Sequence, residues 1–443
     1  MKSLSKTEII SIGFMMFSIF FGAGNLIFPP ALGQAAGNDF VVAILGFLIT
    51  GVGLPLLGIV AIALSGGNYT CFIADHIHPS FAVGLLSVLY LTIGPLFAIP
   101  RTGAVSFEIG IHPFLSDANL SLGQFIYTAL FFVLTYVLAL NPSKLVARVG
   151  KILTPILLVF LVVLFVQAFS QPLGGFMEPT GKYVTNPLLQ GFQDGYLTMD
   201  LLASIAIGTI VVNAIRAEGV TDKRAIGRVC IFAGGISVLL MSMVYVSLSY
   251  LGATSRSVLG LSDNGGIILS QAANIFFGTG GNILLALIIG FACITTSCGM
   301  ASSCAWFFNN ITKGRISYQR VLFLSVLFSF VVSNIGLTGL IRISVPFLIA
   351  IYPVFIVLVV LSLIDSIVGG SKSMYRWSIG LTLAFSIFDG LNASGLQVVA
   401  VNNFFNHYIP LYSVNLGWMV PAVLGIGIGY AIPLIRSEKH ETI

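Results

Sequence analysis

The stretch FFGAGNLIFPP, Phe20 to Pro30, lies inside the first long apolar run of the chain, which begins near Ile9 after a short start carrying Lys2 and Lys6. The run is long enough to cross a bilayer, yet its middle holds Gly22, Ala23, Gly24 and Asn25, followed by Pro29 and Pro30. Hydrocarbon offers no water to backbone groups freed by a break. Irregular backbone at membrane depth is therefore tolerated only where it is buried in protein or lines a polar cavity. A break at Gly22–Asn25 frees amide N–H groups at the start of the outer half-helix, and these suit an anion such as a carboxylate. The carbonyls ending the inner half, around Ile19 to Phe21, suit a cation or an ammonium group. Gly22 and Gly24 permit unusual dihedrals and let a ligand approach the backbone. A zwitterion with both groups on one carbon fits such a gap.

The rest of the chain supplies the setting. Of 443 residues, 57% are hydrophobic and only 8% charged, which leaves a soluble domain of this size without polar cover. Apolar runs of roughly 18–25 residues recur throughout, each sufficient for about 30 Å of hydrocarbon, and the period-2 alternation of a membrane barrel is absent. The reading is an all-α polytopic membrane protein of about twelve spans. They are placed near 9–32, 40–64, 81–110, 122–140, 149–170, 188–215, 226–251, 281–308, 320–336, 341–365, 377–391 and 415–435. The segment 266–279 is too short to span and is read as an extracellular surface helix or re-entrant piece. Gly22, Gly24 and Asn25 interrupt what would be the apolar region of a signal peptide, so the first run is read as a span.

Lysine and arginine set the orientation. With the N-terminus inside, the inner loops carry Lys144, Arg148 and Lys151, then Arg216, Lys223, Arg224 and Arg228, then Lys313, Arg315 and Arg320, then Lys372 and Arg376. Arg436 and Lys439 close the chain, while the outer loops hold chiefly Lys182 and Arg256. Both termini are expected in the cytoplasm. The net charge of +5 is thus a topology signal and does not suggest a nucleic-acid partner.

One membrane domain is expected, in two blocks of similar length, 9–170 and 188–365, with two additional helices at 377–435. An odd number of spans per block gives the second block inverted orientation, the plan of many secondary transporters. The first span of each block is the place to look for a break. Span 6 contains GYLTMDLLASIAIG, Gly195 to Gly208, where Thr198, Met199 and Asp200 interrupt an apolar stretch. Glycine and proline also serve plain helix packing in membranes, but two interruptions at matched positions point to a binding site.

Ionisable groups within the membrane are costly and commonly functional. Asp200 is read either as a ligand for an ammonium, a cation or a proton, or as the cap of the broken helix. Arg101 and Glu108, in IPRTGAVSFEIG, share one helix face; they fit either an outer gate or vestibule pair or a structural salt bridge. Span 8 carries adjacent hydroxyls at Thr295 and Thr296, hard ligands for a small cation, although such hydroxyls often bond their own helix. Cys71, Cys230, Cys293, Cys298 and Cys304 form no CxxC pair and are read as packing residues; His76 and His78 are too few ligands for a metal. No catalytic constellation and no cofactor motif appears at membrane depth, and no repeated filter motif or charge ring supports a channel.

Three stretches, SIFFGAGNLIFPPALGQAAG at 18–37, PLFAIPRTGAVSFEIG at 95–110 and GYLTMDLLASIAIG at 195–208, together resemble the branched-chain amino acid:cation symporters of bacteria, over essentially the full length. The family is similar to the amino acid–polyamine–organocation superfamily. The resemblance implies a five-plus-five inverted-repeat fold with discontinuous helices 1 and 6 and two extra C-terminal helices, in the bacterial plasma membrane. It implies leucine, isoleucine or valine as substrates, carried in symport with Na+ or H+; an amino acid exchanger or a transporter of another small zwitterion on the same fold is the alternative. No protein partner is implied. Mapped onto this chain, it implies a substrate site at Gly22, Ala23, Gly24, Asn25, Thr198, Met199 and Asp200. It also implies a cation site from carbonyls near Ser18 and Phe21 and at Ala292, with the hydroxyls of Thr295 and Thr296 in ACITT.

Overall fold

In the computed structural model the backbone is described for residues 4–140, 142–368, 371–396 and 398–441, and every regular element among them is helical. The side chains of Lys144, Arg148, Lys151, Arg436 and Lys439, used above for orientation, lie outside the described residues. The first span is two helices. Helix α1 (Lys6–Phe20) starts at a capping box: the Ser5 amide donates to Glu8 Oε2 (2.7 Å) and the Glu8 amide to Ser5 Oγ (3.3 Å). It stops where Phe21 and Gly22 turn extended, and α2 (Ala23–Ala36) begins afresh.

The second and third spans are each broken by a wide π turn. Helices α3 (Phe40–Leu48) and α4 (Leu54–Leu64) flank Ile49–Gly53, and after the short α5 (Tyr69–His76), helices α6 (Pro79–Leu91) and α7 (Ala98–Gly110) flank Thr92–Leu96. Such turns insert a residue where a helix must re-aim its faces; in the second, Pro95 removes a donor and Gly94 takes non-helical dihedrals. Helices α8 (Leu120–Ala139) and α9 (Pro142–Ser170) complete the first half of the chain.

The sixth span is also interrupted. Helix α10 (Pro187–Asp194) runs into a 3-10 turn, Gly195–Thr198, and Met199 adopts a left-handed conformation (φ 64°) before α11 (Asp200–Ala217). The left-handed residue reverses the local path so that α11 starts a new helix with its own N-terminus. Long helices follow: α12 (Lys223–Leu259), α13 (Gly265–Ile311), α14 (Tyr318–Ser333), α15 (Leu337–Val368), α16 (Lys372–Ala393), α17 (Val399–Tyr408) and α18 (Met419–Glu441).

Seven helical segments among the described residues are at least 18 residues long and apolar enough to cross a membrane; Tyr318–Ser333 and Met419–Ile432 are shorter apolar helices. The outward faces suit hydrocarbon. On α8, Ile126, Leu130, Val133 and Val137 recur at helical spacing and are all exposed. Of the two readings of 266–279, the surface helix does not hold. The segment is the first part of α13, set off by Gly278 (φ 62°), with Ile268, Leu269, Ala272 and Ala273 fully buried. Gly265 lets its backbone rest on the Ile27 carbonyl, so this piece packs into the protein beside α2 instead of lying on its surface.

Close glycine contacts fix the two broken spans. On one side of α2, Gly33 meets the Ser249 carbonyl and Gly252 of α12 meets the Pro30 carbonyl; a β-carbon at either would collide with backbone. At α10, Gly191 meets the Ala43 carbonyl and Gly46 the Leu188 carbonyl in the same manner. Helices this close exchange dispersion contacts that lipid cannot match.

Candidate functional site

The two breaks face each other, and one side chain joins them. Asn25 is the third residue of α2 and is 2% exposed. Its Oδ1 accepts from the Gly22 amide (3.0 Å), which closes the helix start from within. Its Nδ2 donates to Asp200 Oδ2 (2.7 Å) and lies against the Tyr245 hydroxyl, which itself donates to the same Asp200 oxygen (3.0 Å). Asp200 is the first residue of α11, with its amide directed at Thr198 Oγ1 (3.4 Å). Of the two roles the sequence leaves open for Asp200, its carboxylate does not cap its own helix here. It accepts from Asn25 and Tyr245, across the gap between the broken spans.

Arg101 enters the same place from α7. It is 5% exposed, and its guanidinium donates to two successive carbonyls of the unwound turn, Leu197 (2.5 Å) and Thr198 (3.2 Å). The guanidinium also sits 5.2 Å from the centre of the Phe28 ring, a cation–π contact. A β-carbon at Gly24 would fall 2.7 Å from Arg101 Nη2, so glycine is what admits the charge to the start of α2. The positive end of a helix dipole and a guanidinium thus converge at Gly24. Arg101 Nε is buried there with no hydrogen-bond partner.

This placement corrects the pairing of Arg101 with Glu108 at an outer gate or vestibule. Glu108 faces His112, one turn along (3.2 Å), while Arg101 faces the break in span 6. The cause is local. Seven residues of one helix rise about 10 Å along its axis, too far for a direct ion pair, so Arg101 and Glu108 each take a nearer partner.

Of the expected cation residues, those of α13 lie on the side of that helix that meets the first break. A β-carbon at Gly22 would be 3.3 Å from Thr296 Cγ2 and 3.5 Å from its hydroxyl, so Thr296 stands directly against the first break. The Thr295 hydroxyl donates to the Ala292 carbonyl of its own helix (2.9 Å), which puts two of the expected ligand oxygens together. Phe21 lies in the break, and Ser18 in the last turn of α1. Among the described residues no cluster of His, Cys, Asp or Glu could hold a metal ion, and the five cysteines are unbridged.

Two residues of the site carried no signal of their own. Tyr245, on α12, is fully buried and edge-on to Phe47 (5.2 Å); Tyr352, on α15, accepts from the Leu201 amide (3.2 Å) and stacks on Tyr196 (4.4 Å). Their hydroxyls cap and bridge α11. A tyrosine within an apolar run of this kind, as in MVYVSLSY, is the one hint available. A pocket lined by Met16, Phe20, Val52, Leu56 and Met241 reaches Asp200; its volume is about 20 Å³, enough for a water and too small for a leucine side chain.

Comparison with known proteins places this geometry. The profile of a family described as branched-chain amino acid transport protein matches residues 5–436. The branched-chain amino acid permease BraB of Bacillus subtilis (strain 168) is 48% identical over 439 residues, covering 99% of this chain and 98% of the relative. BrnQ of the same organism is 44% identical, with 99% of each chain covered. The branched-chain amino acid transport system 2 carrier protein of Pseudomonas aeruginosa is 40% identical over the whole of both. These relatives are permeases and carriers, not enzymes. Among solved structures, the nucleobase-cation-symport-1 family transporter Mhp1, closed with bromovinylhydantoin bound, aligns at a TM-score of 0.64 and 12% identity, covering 97% of this chain and 92% of its own. Mhp1 in its inward-facing conformation aligns at 0.60 and 13% identity, covering 96% and 91%. This likeness establishes the fold as that of a helical transporter.

Proposed function

Since the chain belongs to the branched-chain amino acid transport protein family, we propose that it imports leucine, isoleucine or valine across the bacterial plasma membrane in symport with Na+ or H+. The observation that carries the reading is the convergence at the two breaks. The start of α2 and the Arg101 guanidinium, with its unbonded Nε, offer positive potential at Gly24, and the Asp200 carboxylate lies on the far side of Asn25. An α-amino acid presents a carboxylate and an ammonium one carbon apart and matches that polarity. Arg101 and the Ala23 and Gly24 amides would take the carboxylate, the Gly22 amide being held by Asn25 Oδ1; Asp200 and the freed carbonyls of the breaks would take the ammonium. Phe20, Leu26, Phe28 and Met199, all buried around the breaks, give the aliphatic side chain its surroundings. Such a pocket ranks leucine, isoleucine and valine weakly, since one methylene is worth about 1–3 kcal/mol.

The cation would sit between α1 and α13, among the Ser18, Phe21 and Ala292 carbonyls and the Thr295 and Thr296 hydroxyls. It would hold the two walls together while substrate binds and loosen them on release, so that the broken spans of two inverted repeats, 9–170 and 188–365, rock against a scaffold. Both termini would face the cytoplasm, and the helices within 377–435 would add to this core. The 20 Å³ pocket implies that the walls must part to admit a substrate.

The test is uptake of labelled leucine by proteoliposomes of the purified protein. Excess isoleucine and valine should compete and excess lysine or glutamate should not. Uptake that is blocked equally by all four, or absent, removes the substrate assignment.

A further inference from the structure

Away from the breaks, one acid has no use in the mechanism above. Asp389, on α16, is 1% exposed, and among the described residues neither of its carboxylate oxygens has a hydrogen-bond partner. The Tyr196 hydroxyl and the Trp418 indole N–H are also buried, and neither bonds Asp389. Asp389 lies within electrostatic range of Tyr196 and of Tyr412. Tyr412 has no capacity to spare, since its hydroxyl donates to Asn402 Oδ1 (2.8 Å) and accepts from Asn392 Nδ2 (2.9 Å).

No basic group among the described residues offsets a negative charge at this point. Arg376 lies at the opposite end of α16, about 20 Å away along the axis, and donates to the Ile77 carbonyl. His76, of α5, packs at that same end against Asp365 of α15. Arg342, on α15, and His407, on α17, are exposed. Asp194, of α10, is bonded to Tyr183 and Gln190. Tyr352, of α15, faces Leu201 and the far side of Tyr196. An ionised carboxylate with no donor and no counter-charge is the least tolerable group a protein interior can hold; a neutral acid is tolerable there.

The second consideration is position. Tyr196 belongs to the turn Gly195–Thr198, whose next two carbonyls hold Arg101. Tyr196 therefore links the surroundings of Asp389 to the substrate break, through a segment that must move if the site is to open.

We propose that Asp389 is a proton-binding site: the acid holds its proton in the conformation described here, and displacement of the Gly195–Thr198 turn wets the carboxylate and releases it. The site is distinct from Asp200 and from the hydroxyls of α13, and it stands whichever ion drives uptake. A conformational change at the break then carries one proton with it, and leucine and protons become linked through this residue.

The deciding measurement is infrared difference spectroscopy of the purified protein at neutral pH in H2O and D2O. The wild type is expected to show a protonated carboxylic acid band that shifts in D2O and is missing in Asp389→Asn. Tyr196→Phe, which removes a hydroxyl within electrostatic range, should shift that band without abolishing it. The Asn variant should melt no lower than the wild type, because a neutral amide replaces a neutral acid of the same shape. No leucine is needed for this result, so it stands or falls apart from the substrate assignment. If the Asn variant does not fold, Asp389 is already shown not to be interchangeable with a neutral isostere, and the proposal fails. It fails equally if the wild-type and Asn spectra coincide in the acid region, which would mean that Asp389 is ionised and held by a bound cation or water.

Discussion

Replacement of Asn25 by alanine tests the junction of the two breaks. The Asn25 amide makes three contacts: Oδ1 with the Gly22 amide at 3.0 Å, and Nδ2 with Asp200 at 2.7 Å and with the Tyr245 hydroxyl. Bonds between neutral groups contribute about 1 kcal/mol each, and one to a carboxylate about 1.5–3 kcal/mol. The sum is roughly 3.5–5 kcal/mol. Part survives in Asn25→Ala, because Tyr245 still donates to Asp200 (3.0 Å). A net loss of about 3 kcal/mol in the stability of the joined breaks is expected, and if only the joined form binds leucine its affinity falls by up to about 100-fold. Leucine binding to purified protein, by scintillation proximity or calorimetry, gives the number, with thermal unfolding as the check on folding. Asn25→Asp should do worse, since it sets a second carboxylate beside Asp200. A folded Asn25→Ala protein that binds leucine within about threefold of wild type, a difference of only about 0.7 kcal/mol, refutes the role given to this side chain.

Other positions give independent outcomes. Arg101→Lys keeps the charge but loses the planar fork that reaches Leu197 and Thr198 together; uptake should fall at least about tenfold with the protein still folded. Thr296→Ala should raise the cation concentration needed for half-maximal uptake more than Thr295→Ala does, because the Thr295 hydroxyl is already engaged by Ala292; equal and negligible effects would remove the α13 cation site. Met199, buried at φ 64°, should be less damaged by Met199→Gly than by Met199→Ala. Both delete the side chain, but glycine escapes a left-handed strain of about 1–2 kcal/mol, reversing the usual helix order in a denaturant or thermal melt. Glu108→Gln, whose ion pair among the described residues is with His112, should leave uptake within about twofold.

Both breaks were legible because glycine, proline and a carboxylate have no ordinary place in an apolar run. Phe21–Gly22 and Met199 fall where FFGAGN and YLTMD put them. The partners of those breaks were harder to read. Tyr245 and Tyr352 come from helices distant in sequence and look locally like any aromatic residue in a span; only tertiary packing turns their hydroxyls toward Asn25, Asp200 and Leu201. A shared helix face does not bring Arg101 to Glu108, because seven residues rise about 10 Å along the axis; the carbonyls that take its guanidinium, Leu197 and Thr198, are distant in sequence. The same limit applied at 266–279, where length alone cannot distinguish a surface helix from the buried start of α13 set off at Gly278.

The most direct test of coupled import is accumulation of leucine in proteoliposomes under an inward sodium gradient with no pH gradient, then under the reverse arrangement, with membrane potential clamped in both. The account predicts accumulation above the external concentration under at least one of the two gradients. Sodium-driven uptake should be lost in Thr296→Ala, and purely proton-driven uptake in Asp200→Asn. Leucine that merely equilibrates under both gradients, and moves uphill only against preloaded internal amino acid, would contradict symport and make the protein an exchanger.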